Sequence, residues 1–185
     1  MTRYLGVGMK KSLAVLAAAA LLAGCGDSFG PDGPGLDVRG TYLLTALSFD
    51  PQGSLPAVDL LARLETATIP RLVIGTGGRA QLVFENPNTG LITIANASYT
   101  TSGTSTVRFD FGSGSNTLYR NVLLSERMTF GFDESTNLLT FTGEAPDGID
   151  RTRLLQLVPE WAGEQLFDPV PGALTVQFSP ASSTS

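Results

Sequence analysis

The chain has 185 residues, 42% of them hydrophobic, with 10 Phe against 1 Trp, a single Cys and no His. Arg3, Lys10 and Lys11 are the only basic residues before Cys25, so the rest of the chain holds 12 − 3 = 9 cations, all Arg, against 17 acids: 9 − 17 = −8. The lack of His, and of Lys after Lys11, removes Ser-His-Asp, Cys-His and Ser-Lys catalysis, His-rich zinc sites and Schiff-base chemistry, and the acidic balance disfavours nucleic acid and anionic headgroups.

Lys10-Lys11 precedes an apolar run from Leu13 to Leu22, which leads into Ala23, Gly24 and Cys25. About ten residues at roughly 1.5 Å each fall short of a hydrocarbon core of about 30 Å, so the run is not a membrane span. A basic start, a short apolar stretch and small residues before a cut are the parts of a secretory signal. Leu22-Ala23-Gly24-Cys25 closely resembles the lipobox of bacterial lipoproteins. The resemblance implies that residues 1–24 are a signal peptide and that Cys25 carries a diacylglyceryl group. It also implies that the new amine is acylated, with chains such as palmitate. Two or three chains hold firmly, since each buried methylene contributes about 0.8 kcal/mol. The competing reading, a buried Cys at a helix end, fits this pattern less well. Gly26 rather than Asp follows the Cys. In diderm lipoproteins that choice favours the outer membrane over the inner one. Met9 offers an alternative start to Met1. With the only Cys used for lipid, no internal disulfide is expected.

Residues 25–36 are expected to be the lipidated Cys and a flexible tether, because Gly26 to Leu36 reads GDSFGPDGPGL. Eleven such residues span roughly 18 Å as a coil. Residues 37–178 are expected to fold as one domain, and residues 179–185 to be a disordered tail.

Val38 to Ala46 reads as a strand, with Tyr42, Leu44 and Ala46 on one face. Phe49 to Pro56 reads as a loop, and Val58 to Leu64 as a short helix. From Ile69 onward, short alternating runs are separated by turn residues. Leu72 and Ile74 share a face, as do Leu82 and Phe84, and Gly77-Gly78 between them predicts a hairpin turn. Leu91 to Thr100 follows, with Ile92 and Ile94 on one side. Val107, Phe109 and Phe111 alternate with Thr106, Arg108 and Asp110. Met128, Phe130 and Phe132 alternate with Arg127, Thr129 and Gly131, and Leu139 and Phe141 with Thr140 and Thr142. Thr152 to Val158 is a further candidate strand, Pro159 to Gly172 is irregular, and Leu174, Val176 and Phe178 mark the last strand.

This pattern predicts an all-β fold, an antiparallel up-and-down barrel of about eight strands, with a β-sandwich as the alternative. Gly40-Thr41-Tyr42 at the first strand resembles the G-x-W or G-x-Y opening of small lipocalin-like barrels. The resemblance implies that a late Arg, Arg151 or Arg153, packs over Tyr42 at the barrel base.

Several stretches invite a chemical reading. Gly75-Thr76-Gly77-Gly78 lacks the following helix of a phosphate loop, and a turn fits it better. Glu144, Asp147 and Asp150 lack EF-hand spacing and surround Pro146, so a solvated loop fits better than a calcium site. Asp133-Glu134 lies in a turn, not on a cleft wall, so paired-carboxylate hydrolysis finds little support. No catalytic residue, no cofactor and no metal site is expected. Two functions remain. The favoured one is a non-enzymatic binding module, in which the barrel holds a small apolar or amphipathic ligand among Tyr42, Phe84, Phe109, Phe130 and Phe141. In the other, the barrel is filled by its own side chains, and loops carrying Trp161 and Phe167 meet another envelope protein. The strap alternative packs Trp161 and Phe167 onto the barrel end. Barrels of this size are either filled or hold one small ligand.

Overall fold

The computed structural model describes residues 36–64, 68–112, 118 and 121–181. The expected signal peptide, the expected lipid site at Cys25, the expected tether up to residue 35 and the last four residues lie outside them. Gly35–Ser185 forms one unit, and every described residue belongs to it.

The strands follow from alternation. In β6 (Thr106–Asp110), Val107 and Phe109 are buried while Arg108 is exposed. In β7 (Arg127–Asp133), Met128, Phe130 and Phe132 are buried while Arg127, Thr129 and Gly131 are exposed. A side-chain period of two puts each apolar set on one face. The other strands are β1 (Gly40–Pro51), β2 (Val58–Asp59), β3 (Arg71–Ile74), β4 (Arg79–Glu85), β5 (Ile92–Ser102), β8 (Leu138–Glu144) and β9 (Gly172–Pro180).

The strand order is β2-β1-β3-β4-β5-β6-β7-β8-β9, and β9 also pairs with β1. All these pairings are antiparallel. The β1–β9 ladder closes β1 and β3 to β9 into an eight-stranded up-and-down barrel and rules out an open sandwich. The short β2 lies beside β1 as an addition. Apolar side chains fill the inside and polar ones cover much of the outside. A membrane-spanning barrel has the opposite arrangement.

The two barrel ends differ. At one end lie Gly40 and the tight turns 75–78, 103–105 and 134–137. At the other lie the described parts of the longer connections between β1 and β3, β6 and β7, and β8 and β9. Leu60, Leu118, Val122, Leu124, Leu154, Val158 and Trp161 are buried there and extend the core.

Four expectations need correction. Strand β1 does not stop at Ala46 but runs to Pro51, because a bulge at Thr45 shifts the alternation. Beyond the bulge, Leu47 and Phe49 turn inward and are fully buried. Val58 to Leu64 is not an α-helix. It is the two residues of β2 followed by a single 3-10 turn, Leu61–Arg63. Thr152 to Val158 is not a strand but lies in an α-helix, α1 (Arg151–Leu157). Asp150 caps it, accepting the Arg153 N–H at 2.7 Å, and Leu154, Leu157 and Val158 fall on one buried face. Finally, Leu36 is buried against the core, so the domain begins one residue inside the expected tether, and β9 continues through Ser179 to Pro180.

Candidate functional site

Of the expected ligand-lining residues, Tyr42, Phe84, Phe109 and Phe130 belong to the buried core and Phe141 packs against it. Phe84, Phe109 and Phe130 are buried, and Phe141 is half-buried. The Phe109 and Phe130 rings meet edge-on with centroids 5.7 Å apart. Phe130 also meets Phe178 at 5.9 Å and Phe141 at 6.1 Å. The cavity between the rings of Phe109, Phe130 and Phe178 and the side chains of Leu72, Leu82 and Met128 measures about 10 Å³. That is at most the room of one water, and the lining is apolar. Tyr42 is buried near the tight-turn end, where its hydroxyl donates to the Val38 carbonyl at 2.8 Å. It ties the entering chain to the barrel.

Neither late Arg packs over Tyr42. Tyr42 pairs with Pro180 at the end of β9, while α1 precedes the start of β9 at the opposite end of the barrel. Arg151 is exposed there. Arg153 is buried, and its Nη1 donates to Gln156 Oε1 at 3.0 Å. The charge of Arg39 acts instead on Tyr99 and opposes the rise that burial imposes on that phenol.

Trp161 and Phe167 separate. Trp161 is buried at the end of a 3-10 turn, Pro159–Trp161, whereas Phe167 is 77% exposed. Of the two, Phe167 is the one that offers apolar surface to a partner. Gly75 to Gly78 forms the β3–β4 hairpin turn. Gly77 and Gly78 adopt φ of 66° and 68°, and the Gly75 N–H donates to the Arg79 carbonyl at 2.9 Å. Among the acidic-loop residues, Asp150 caps α1 and Glu144 accepts from Gln52 Nε2 at 3.2 Å. Among the described residues, no group of three or more His, Cys, Asp or Glu side chains could hold a metal ion.

The charges form local surface pairs. Hydrogen bonds from Arg39 hold the Asp37 carboxyl down to about 2. Arg63 pairs with Glu160 at 2.6 Å and Arg127 with Asp110 at 2.9 Å. Arg63 also donates to the Leu157 carbonyl at 3.1 Å, fastening the first 3-10 turn to α1. These residues border an open groove of about 570 Å³ lined by Ala62, Pro87, Asn88, Arg153 and Gln156. The groove's Arg63 is already engaged by Glu160, and exposed pairs of this kind contribute little to stability.

Alternation alone puts Ile92 and Ile94 on one side of β5 without assigning that side to core or solvent. In the structure they point outward, exposed by 55% and 54%, and Leu91 beside them is 67% exposed. The signal in the sequence is that Leu91 to Val107 contains no charged residue and no Pro. No family model, no curated protein and no solved structure matches this chain.

Proposed function

We propose that this chain is a non-catalytic bacterial envelope lipoprotein that acts as a protein-interaction module. Lipid on Cys25 holds it to the membrane, on the periplasmic face of the outer membrane in a diderm cell. The lipobox-like Leu22-Ala23-Gly24-Cys25 supports the anchor. The observation that carries the interaction reading is the filled interior. Sites for small ligands occupy roughly 300–1,000 Å³, whereas the space left among the inward Phe side chains is about 10 Å³. What remains for recognition is the outer surface, with another envelope protein as the partner.

The test titrates the full lipidated chain, in nanodiscs, with an apolar fluorescent probe and a panel of fatty acids. Empty nanodiscs are titrated in parallel. The expected result is no saturable binding above that of the empty nanodiscs and no rise in melting temperature with ligand, since only a ligand that prefers the folded state raises it. Saturable binding that disappears in Val107→Trp would overturn the proposal in favour of an interior ligand.

A further inference from the structure

The two neighbours of β5 cover it unequally. Its register with β4 runs from Ile92 to Ser98, but its register with β6 begins only at Ser98. Among the described residues, no strand pairs with the other edge of Ile92 to Ala97.

The direction of the backbone groups follows from two hydrogen bonds. The Tyr99 N–H donates to the Gly78 carbonyl, and the Leu91 carbonyl accepts from the Asn86 N–H, both on the β4 side. The β4–β5 register is unbroken. Successive residues of a strand point their N–H and C=O groups to opposite edges. Ile92, Ile94 and Asn96 therefore aim theirs at the open edge. The same residues present their side chains outward.

Natural edge strands are usually blunted by Lys, Pro, a bulge or a very short length. This edge has none of these. It is about 20 Å long at roughly 3.3 Å per residue. Exposed Leu91, Ile92 and Ile94 flank it, and an outward carboxylate, Glu85, lies opposite Ile92 on β4. Among the described residues, Glu85 has no ion pair.

We propose that this edge of β5 receives an extended segment of another protein by strand addition. This rests on the interaction reading above and names its surface. Main-chain hydrogen bonds to Ile92, Ile94 and Asn96 give the added strand its register, and its alternate apolar side chains continue the stripe of Ile92 and Ile94. A Lys or Arg on that strand reaches Glu85, about two strand spacings or roughly 10 Å away. A second copy of this chain is a poorer occupant. Its own Ile92 to Ala97 carries no cation to meet Glu85.

The experiment uses the full lipidated chain in nanodiscs and follows amide hydrogen exchange at single residues. The probe is a synthetic peptide of alternating Thr and Ile with a Lys at each end. Without peptide, the amides of Ile92, Ile94 and Asn96 should exchange fast and those of Thr93, Ala95 and Ala97 slowly. With peptide, the first set should become protected. Ile94→Pro removes a donor from the open edge without touching a β4 bond, and should weaken peptide binding by about tenfold or more, as should Glu85→Lys. Protection of Ile92, Ile94 and Asn96 in the isolated monomer would overturn the proposal, because the chain would then cover its own edge. Protection that grows with protein concentration alone would overturn it in favour of a second copy. Peptide binding with protection elsewhere, or unchanged by both variants, would also overturn it. These outcomes are independent of the fatty-acid titration, so an unused edge and an open interior are told apart.

Discussion

The ring of Phe49 lies so close to Gly172 that a Cβ at Gly172 would stand 2.7 Å from the ring. The same Cβ would collide with the Asp50 carbonyl. Gly172 starts β9 opposite Pro51, where the β1–β9 ladder closes the barrel. The obstacle on one side is backbone within a paired strand and cannot swing aside. Gly172→Ala should cost about 1–3 kcal/mol through overpacking. Urea denaturation measures it, and a midpoint equal to that of the parent would mean that the closure is looser than this contact implies.

The inward and outward faces of β6 and β7 should respond differently to truncation. Phe109→Ala or Phe130→Ala should cost about 3–5 kcal/mol, because each ring fills a core with no slack. Arg108→Ala and Thr129→Ala should stay within about 0.5 kcal/mol, since both side chains are exposed. Phe141→Ala should fall between, as the ring is half-buried. Equal costs on the two faces would contradict the register.

The strap should divide in the same way. Trp161→Ala should cost about 3–5 kcal/mol, and Phe167→Ala about 0.5 kcal/mol or less. Trp161 is the only Trp, so its emission reports on the loop-rich barrel end directly. It should be blue-shifted and resistant to quenching by acrylamide in the folded protein. Red-shifted, readily quenched emission would place the side chain in water.

Stability should be flat from about pH 5 to pH 8, because the chain has no His to titrate there. Asp37, Asp110, Asp133 and Glu160 are all held below the ordinary carboxylate range. The main causes are hydrogen bonds from Arg39, the Gly112 N–H, the Ser135 hydroxyl and Arg63, respectively. A carboxyl whose folded pKa lies below its unfolded one stabilises above the unfolded value, near about 4. That contribution disappears as pH falls through the folded value, which for Asp37 is about 2. All four groups face solvent, so the acid decline should be shallow. Melting temperature against pH tests this, and a step between about pH 5 and pH 8 would contradict it.

Cys25→Ala should abolish lipidation and leave an uncleaved or soluble form. Membrane fractionation and intact mass measure it. A mature-sized species that stays in the membrane fraction without Cys25 would refute the lipobox reading.

Much of the barrel can be read directly from the chain. The alternation in Val107-Arg108-Phe109 and Met128-Thr129-Phe130 has one period and no competing interpretation. The turns between strands use Gly and Asn because those residues tolerate positive φ. Leu154, Leu155, Leu157 and Val158 are different, since seven residues hold too few repeats to separate a period of two from one of 3.6. The stronger clue is Asp150, three residues before Arg153 at the start of α1. In β1 the alternation misleads past Ala46 because a bulge inserts one residue and reverses the faces that follow.

The sequence by itself determined the apolar inward faces, the acidic balance and the absence of His, since each is a property of residue identity and local order. Only the tertiary structure decided whether the Phe side chains line a cavity or fill it, because free volume depends on how rings from β6, β7, β8 and β9 meet across the barrel. It also decided that Trp161 is core and Phe167 surface, six residues apart in a segment of no regular period. The open edge of β5 belongs to the same class. An edge is defined by which strands lie beside it, and the register with β6 begins only at Ser98, so among the described residues no strand pairs with that side of Ile92 to Ala97.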